Sequence, residues 1–320
     1  MKIDAERVMR GILDFIQKKV SEEGREGVAL GLSGGIDSAV LAALAARAVS
    51  PSKVFALHLF DFDSEIKFRI YAATLAKKLG IHLEIQDISP VAQPENPYRV
   101  RLMRAIRGAP ILNQMMVYFS HFLCDAFYHE SPFELILRAG EPLKGRIARK
   151  IYKVLAGTIE GAFNEKHRRR RKILEDYAAQ RNLLLIGAAN KTEFKIGWFV
   201  EDGIDDLVIE PLLDLDKSQI RQLAHFLKIP VEIIRQPPSP DMFKGVTDEL
   251  AIGFNYPKID LGLYILEHDL NEEIAQAEGI TSKELERIRA LNRYSAGKRR
   301  RRHEFPSLFF LQKEIKVSAF

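Results

Sequence analysis

The sequence predicts an α/β chain, a doubly wound parallel sheet carrying a helical insertion. Two observations point to the sheet: apolar runs of strand length alternate with helix-length amphipathic stretches, and the first run, Val28-Ala29-Leu30-Gly31-Leu32, is apolar at every position, as a strand covered on both faces must be. A third points to the insertion: residues 96–159 break the alternation with a longer apolar pattern at helical spacing.

Taken in order, residues 4–19 place Val8, Ile12 and Phe15-Ile16 on one face of a helix. The strand at 28–32 is followed by an Ala- and Leu-rich helix over 37–49, then a second strand over 54–60. A helix over 70–79, closed by Gly80, leads to a third strand at 82–85. A helix from about 164 to 181 precedes a fourth strand at 183–186, and a parallel sheet of this kind binds its ligand at the carboxyl ends of its strands. Beyond residue 215 the chain reads as helical and charged, with a rigid Pro237-Pro238-Ser239-Pro240 loop and helices near 257–268 and 281–292.

At 320 residues, 47% hydrophobic and 28% charged, the chain supports a large core. The division read from it is one domain made of residues 1–95 and 160–320, with 96–159 inserted. Within the insertion Ile111, Leu112, Met115, Met116, Phe119, Phe122 and Phe127 recur at helical spacing, which suits a packed helix pair or dimer contact, or else a lid or membrane-surface helix. The stretch from Ala109 to Tyr128 is interrupted by Asn113, Gln114, Ser120, His121 and Asp125, so no membrane span is expected.

A single cysteine, Cys124, excludes an internal disulfide framework and fits a cytoplasmic protein. The charged start Met1-Lys2-Ile3-Asp4 carries no apolar signal region. The eight histidines form no His-x-x-x-His pair, so no zinc site is expected. The net charge of +5 comes largely from two runs, 168–172 and 298–302. No recognition module and no interleaved aromatics accompany them, and the reading is of phosphate-rich small molecules and no nucleic acid.

The chemistry is concentrated in Ser33-Gly34-Gly35-Ile36-Asp37-Ser38, between the first strand and its helix. Two glycines let the backbone approach a polyanion, and the turn and helix N-terminus aim amides at phosphate oxygens. Ser33 and Ser38 add hydroxyls, and Asp37 offers a hard oxygen to Mg²⁺. No Gly-Lys-Ser/Thr follows, so this is not the Walker loop.

The Ser-Gly-Gly-x-Asp-Ser loop resembles that of the N-type ATP pyrophosphatases, whose sheet is the adenine nucleotide alpha hydrolase-like fold. Further segments resemble the ammonia-dependent NAD synthetases among them. These are Gly187-Ala188-Ala189-Asn190-Lys191-Thr192-Glu193, Asn164-x-x-x-Arg168-x-Arg170, and Ile209-Glu210-Pro211-Leu212 with Lys217-Ser218-Gln219-Ile220-Arg221 after it. Pro237-Pro238-Ser239, Gly245-Val246-Thr247-Asp248-Glu249 and Lys298-Arg299 complete the order. The resemblance covers about residues 5–92 and 160–305 and leaves out the insertion.

It implies an enzyme, a carbon–nitrogen ligase that adenylates the carboxylate of deamido-NAD with ATP and lets ammonia displace AMP, with pyrophosphate released. It implies Asp37 and Glu193 as Mg²⁺ ligands and Lys217 as the catalytic cation at the phosphates. Ser33, Gly34, Gly35, Asp37, Ser38 and Lys217 would bind ATP and pyrophosphate, and Asn164 and Arg168 would hold the acid. A homodimer is the default assembly.

One stretch departs from the family pattern. Where that pattern has Thr-Lys-x-Gly-Asp-Gly-Gly-x-Asp, this chain has Val200-Glu201-Asp202-Gly203-Ile204-Asp205-Asp206-Leu207-Val208. Glu201 replaces a lysine and Ile204 and Val208 replace aspartates, with Asp205 and Asp206 the carboxylates a shifted register would bring there. The alternative readings are the same ATP site serving a different carboxylic acid, and a non-catalytic nucleotide- or RNA-binding protein, against which Asp37, Glu193 and Lys217 argue.

Overall fold

A computed structural model describes residues 2–62, 64–89, 109–138, 164–239 and 244–308. Among these, four strands form one parallel sheet in the order β3-β2-β1-β4, where β1 is Gly27–Gly31, β2 Val54–Phe60, β3 His82–Asp87 and β4 Leu183–Leu185. Val28 pairs with Val54 on one side and Leu184 on the other. The close seat of Gly27 is obligatory, since a Cβ there would lie 2.3 Å from the Lys53 carbonyl oxygen.

The two faces of β1 explain its apolar run. Val28 and Leu30 join the core shared with helices Ala5–Glu22, Ile36–Val49 and Lys217–Phe226, while Ala29 turns to Ala178 on the opposite helix, residues 164–180. Leu57 and Leu59 of β2 do the same, meeting Leu174. Side chains alternate with period two, so helices on both faces require apolar residues at every position. The sheet is doubly wound as expected.

The expected elements appear with shifted ends. The first helix runs to Glu22, and Asp4 caps it by accepting the Arg7 amide at 3.1 Å. The third helix, Ile66–Leu79, starts before residue 70, because Phe68 is buried against the first strand's turn; Gly80 closes it at φ 70°. A second core gathers Phe133, Ile196, Ile252, Tyr256, Ile259, Leu263, Ile288 and Leu291 from the C-terminal helices Tyr256–Glu267 and Ser282–Tyr294 and their neighbours.

Of residues 96–159, expected to be an insertion, 109–138 are described and form helices Pro110–Tyr128 and Pro132–Leu137; the others lie outside the described residues. The first helix docks through polar side chains: Asn113 donates to the Lys244 carbonyl (3.1 Å), Gln114 to Gly245 (2.8 Å), and a His121 ring nitrogen lies 2.8 Å from the Leu250 carbonyl. Ser131 and Glu134 form a capping box on the second helix, and the buried Glu134 carboxylate pairs with Arg287 at 2.7 Å.

β1 lies between β2 and β4. The chain leaves β1 toward β2 and β3 and later returns to its other side as β4. Connections that diverge to opposite sides open a crevice beyond the carboxyl ends of the two strands. The turn after β1 begins with Leu32-Ser33-Gly34, and the turn after β4 runs from Ile186 to Asn190.

Candidate functional site

The turn after β1 is built as its sequence implies. Gly34 takes φ 91°, and a Cβ on it would lie 2.4 Å from the Phe68 carbonyl oxygen, so both conformation and space demand glycine. Ser33 Oγ accepts the Gly35 amide (3.2 Å) and lies 3.0 Å from Ser38 Oγ, which donates to the Gly35 carbonyl (3.1 Å). The helix Ile36–Val49 begins at once, with Asp37 in its first turn. A turn and helix N-terminus of this form present amides to an anion.

Across the crevice, Asn190 caps the helix Lys191–Ile196 by accepting the Glu193 amide at 2.9 Å. Its own amide donates to Asp37 Oδ1 at 3.1 Å, tying the β1 and β4 turns together. Gly187 leaves room for the buried Glu210 carboxylate, which accepts the amides of Ala189 (2.8 Å) and Leu207 (3.0 Å).

Lys217 joins the two sides. It is the first residue of its helix, 1% exposed, and its ammonium lies 2.6 Å from Asp37 Oδ2 and 2.7 Å from Glu193 Oε1. Its backbone amide donates to Thr192 Oγ1 (2.9 Å), Thr192 donates to Asp260 Oδ1 (2.5 Å), and Asp260 Oδ2 accepts the Ser218 amide (2.8 Å). The helix Tyr256–Glu267 therefore fixes the start of the lysine's own helix. Burial opposes the lysine's charge, but the carboxylates of Asp37 and Glu193 outweigh it and raise its pKa, so it is an ammonium at every physiological pH.

Asp248 and Tyr256 complete the cluster. The Tyr256 hydroxyl is 2.9 Å from both Glu193 Oε1 and Asp248 Oδ2. Burial, partly countered by Lys217, pushes the Glu193 carboxyl up to about 7 and that of Asp248 to about 6. Burial also drives the Tyr256 phenol well above its ordinary value. Asp37, Glu193 and Asp248 are thus three carboxylates grouped round one lysine, all facing a cavity of about 600 Å³.

The residues expected to hold the acid divide. Asn164 lines the cavity with His167 and Arg170 of the same helix. Arg168 is exposed, and its Nε donates to the Glu201 carbonyl at 3.3 Å. A His167 ring nitrogen is 2.7 Å from Asp205 Oδ2, which puts Asp205 at the cavity; Asp206 is buried, accepting the Asp202 amide (2.9 Å) and pairing with Arg301 (3.2 Å).

Both basic runs converge on this departing stretch. Arg171 donates to the Asp206 carbonyl (3.0 Å), Lys298 to those of Gly197 (2.8 Å) and Phe199 (2.5 Å), and Arg301 also pairs with Asp202. Charge that the sequence assigns to phosphate-rich small molecules is partly used to hold residues 197–206.

The donor set suits a hard divalent cation. Two carboxylate oxygens already converge on one small cationic group, and carboxylates are the usual protein ligands for Mg²⁺. Among the described residues no group of three or more His, Cys, Asp or Glu side chains is arranged round an ion, so such a cation would draw further oxygens from bound phosphates.

Tyr256 and Asp260 lie outside the motifs legible in the sequence, whereas Asn190, Thr192 and Asp248 lie within them without an assigned part. Asn190 had a local signal, an Asn three residues before an acid at a helix start. Tyr256 and Asp260 had none, since Glu193 lies 63 residues from the first and Thr192 68 from the second.

Comparison with known proteins places these features in one family. The model described as NAD synthase matches residues 8–98 and 149–302. The internal gap in the match, residues 99–148, lies inside the 96–159 segment. The chain is 30% identical over 294 residues to the NH(3)-dependent NAD(+) synthetase of Thermotoga neapolitana, covering 90% of this chain and 92% of that one. It is 31% identical over 284 residues to the enzyme of the same description from Coprothermobacter proteolyticus, covering 82% and 85%. Among solved structures, an NH3-dependent NAD synthetase from Campylobacter jejuni aligns with TM-score 0.59 at 25% identity, covering 92% and 96%. An NMN synthetase from Francisella tularensis aligns with TM-score 0.64 at 24% identity over 93% and 97%, a likeness of fold.

Proposed function

We propose that this chain, which belongs to the NAD synthase family, amidates deamido-NAD with ammonia at the expense of ATP, yielding NAD, AMP and pyrophosphate. The observation that carries the reading is the Lys217 ammonium set between Asp37 and Glu193, beside the glycine turn at the end of β1. That grouping brings a phosphate-binding turn, two hard oxygens and a permanent buried cation to one point of the crevice.

In this reading the turn amides and the hydroxyls of Ser33 and Ser38 cradle the ATP phosphates, with Gly34 and Gly35 allowing close approach. A carboxylate oxygen of the acid bonds to the α-phosphorus and the bond to pyrophosphate breaks. Lys217 offsets the charge that gathers on the departing group. Asn164 at the cavity wall and Arg168 at the exposed edge of the same helix would hold the acid, and ammonia then forms the C–N bond as the acyl C–O bond breaks, its electron pair leaving with AMP and one N–H proton being lost. Asp37 and Glu193 would hold Mg²⁺, which supplies charge neutralisation at the phosphates when bound.

A homodimer belongs to the same reading. It is supported by the outer face of the helix Pro110–Tyr128, where Ile111, Met115, Phe119 and Phe122 are 61–75% exposed, an apolar row of the kind that association covers. Cytoplasmic location is supported by the lone, half-buried Cys124. The exclusion of nucleic acid is supported by the engagement of both basic runs with residues 197–206. Among the described residues no helix is long and apolar enough to cross a membrane.

The departing stretch favours a second reading, in which the same ATP site serves another carboxylic acid, because Glu201, Ile204 and Val208 stand where the family pattern has lysine and aspartates. One assay separates the two: pyrophosphate release with ATP, Mg²⁺ and ammonium, comparing deamido-NAD with a panel of carboxylic acids. The first reading requires deamido-NAD to be the preferred acid, with NAD identified by mass. Faster turnover of another acid establishes the second.

A further inference from the structure

We propose that Asp248 and Tyr256 form the receiving site for the ammonium ion that supplies the amide nitrogen, an inference that rests on the amidation reading above. Asp248 is 4% exposed and faces the cavity. Its Oδ2 takes the Tyr256 hydroxyl at 2.9 Å, whereas its Oδ1 is buried with no hydrogen-bond partner. Buried carboxylate oxygens are otherwise almost always paired, so an unpaired one at a cavity wall marks a place for a donor that arrives with a ligand.

The donor count leads to the same conclusion. Tyr256 stands 2.9 Å from an oxygen of Glu193 and an oxygen of Asp248, but a phenol has one proton to give. Beyond Tyr256 the neighbouring donor on the Asp248 side is the neutral indole of Trp198, so among the described residues this carboxylate faces the cavity with no cation of its own, while Lys217 is directed to Asp37 and Glu193. Ammonium answers that deficit: it is cationic and offers only donors. A divalent cation suits this end less well, since it demands several oxygen ligands and Asp248 presents one free oxygen.

Steady-state kinetics with each of the three substrates varied in turn test the site. Asp248→Asn keeps the shape and removes the charge. It is expected to raise the ammonium Michaelis constant about ten- to hundredfold, the worth of a charge-assisted hydrogen bond. That rise should exceed any change in the constants for ATP and for the acid at least fivefold. Tyr256→Phe should raise the ammonium constant by less, and Asp248→Glu, which restores a carboxylate, should recover part of the loss. If circular dichroism finds Asp248→Asn unfolded, Asp248→Ser is measured in its place. Equal rises for all three substrates, or an unchanged ammonium constant, would overturn the assignment. The amidation reading is checked separately in the unaltered protein by ATP–pyrophosphate exchange with deamido-NAD in the absence of ammonium. No exchange there means that the reading itself has failed, whatever the Asp248 variants do.

Discussion

The Lys217 ammonium lies 2.6 Å from Asp37 Oδ2, although 180 residues separate the two in sequence. The pair joins the first turn of one helix to the first residue of another, and the lysine reaches Glu193 as well. An ion pair buried this deeply stabilises little against its desolvation, but breaking it leaves unmatched charge.

Lys217→Met, close in volume and uncharged, is therefore expected to do two things. Without ligand it should lower unfolding stability by about 3 kcal/mol, the usual cost of stranding a buried partner. It should also cut pyrophosphate release by about a hundredfold or more, the scale of losing a charge aimed at a leaving group. Urea melts and a pyrophosphate assay measure the two effects; retained turnover would show that the lysine is only a structural counter-ion.

Asp37→Asn and Glu193→Gln should each abolish conversion of ATP to AMP while the far-ultraviolet circular dichroism stays that of the parent. Each exchanges a hard anionic oxygen for an amide of nearly equal size. Raised Mg²⁺ should recover a detectable part of the activity if the loss is one of metal affinity. Near-parental turnover in either variant removes the metal assignment.

Much of this site could be read locally. The β1 turn, the Asn190–Glu193 helix start and the Lys217 helix start are short segments whose residue types carry their own conformational reasons. Tyr256 could not be found this way: an aromatic opening a C-terminal helix reads as core, and it is core, except that its hydroxyl reaches Glu193 and Asp248. The phase of the 164–180 helix was hidden too. Residues 164 and 168 share a face by spacing, yet the sheet's position decides which part of that face meets the cavity, and it leaves Asn164 inside and Arg168 exposed. The partners of the basic runs were hidden for a related reason, because sequence gives charge without the groups that it meets, such as the Asp206 and Gly197 carbonyls.

That division of the helix makes the acid-binding assignment testable. Asn164→Ala and Arg168→Ala are each expected to raise the Michaelis constant for the acid about tenfold, and for ATP by much less. Arg170→Ala is the comparison, since Arg170 lines the cavity and Arg168 does not. If Arg170→Ala alone weakens the acid, recognition belongs to the inner arginine, and Arg168 serves the Glu201 carbonyl.

Residues 200–208 should owe part of their order to Asp206. Burial would raise this carboxyl's pKa, but His303, the Asp202 amide and Arg301 outweigh it and hold the pKa below its ordinary 3.8. A folded-state pKa below the unfolded one contributes stability that is complete above about 3.8 and lost as pH falls through the lower folded value. The melting temperature of Asp206→Asn should thus lie below the parent's at pH 7, and the gap should close as pH drops below that range. Arg301→Ala should reproduce the neutral-pH loss and speed proteolytic cleavage within 200–208. A gap that persists undiminished in acid would assign the loss to packing.

Glu134 is a deeply buried anchor of residues 109–138. It accepts the Ser131 amide at 2.5 Å, and its two oxygens take the Arg287 Nε and Nη2 hydrogens at 3.1–3.2 and 2.7 Å. One carboxylate thus closes a helix cap and bridges to the helix Ser282–Tyr294, with its side chain 2% exposed and Arg287 23% exposed. Phe133, next to it, packs edge-on against Trp198 at 4.9 Å between ring centroids and lines the cavity. Glu134→Ala should consequently cost about 3 kcal/mol, since it removes the side-chain half of the capping box and takes the carboxylate from Arg287. The loss should also reach the cavity through Phe133 and Trp198, weakening binding of the acid more than that of ATP. Arg287→Ala should give a comparable loss, because it leaves the buried Glu134 carboxylate with the Ser131 amide as its remaining partner. A Glu134→Ala protein with unaltered kinetics would detach helices Pro110–Tyr128 and Pro132–Leu137 from the chemistry.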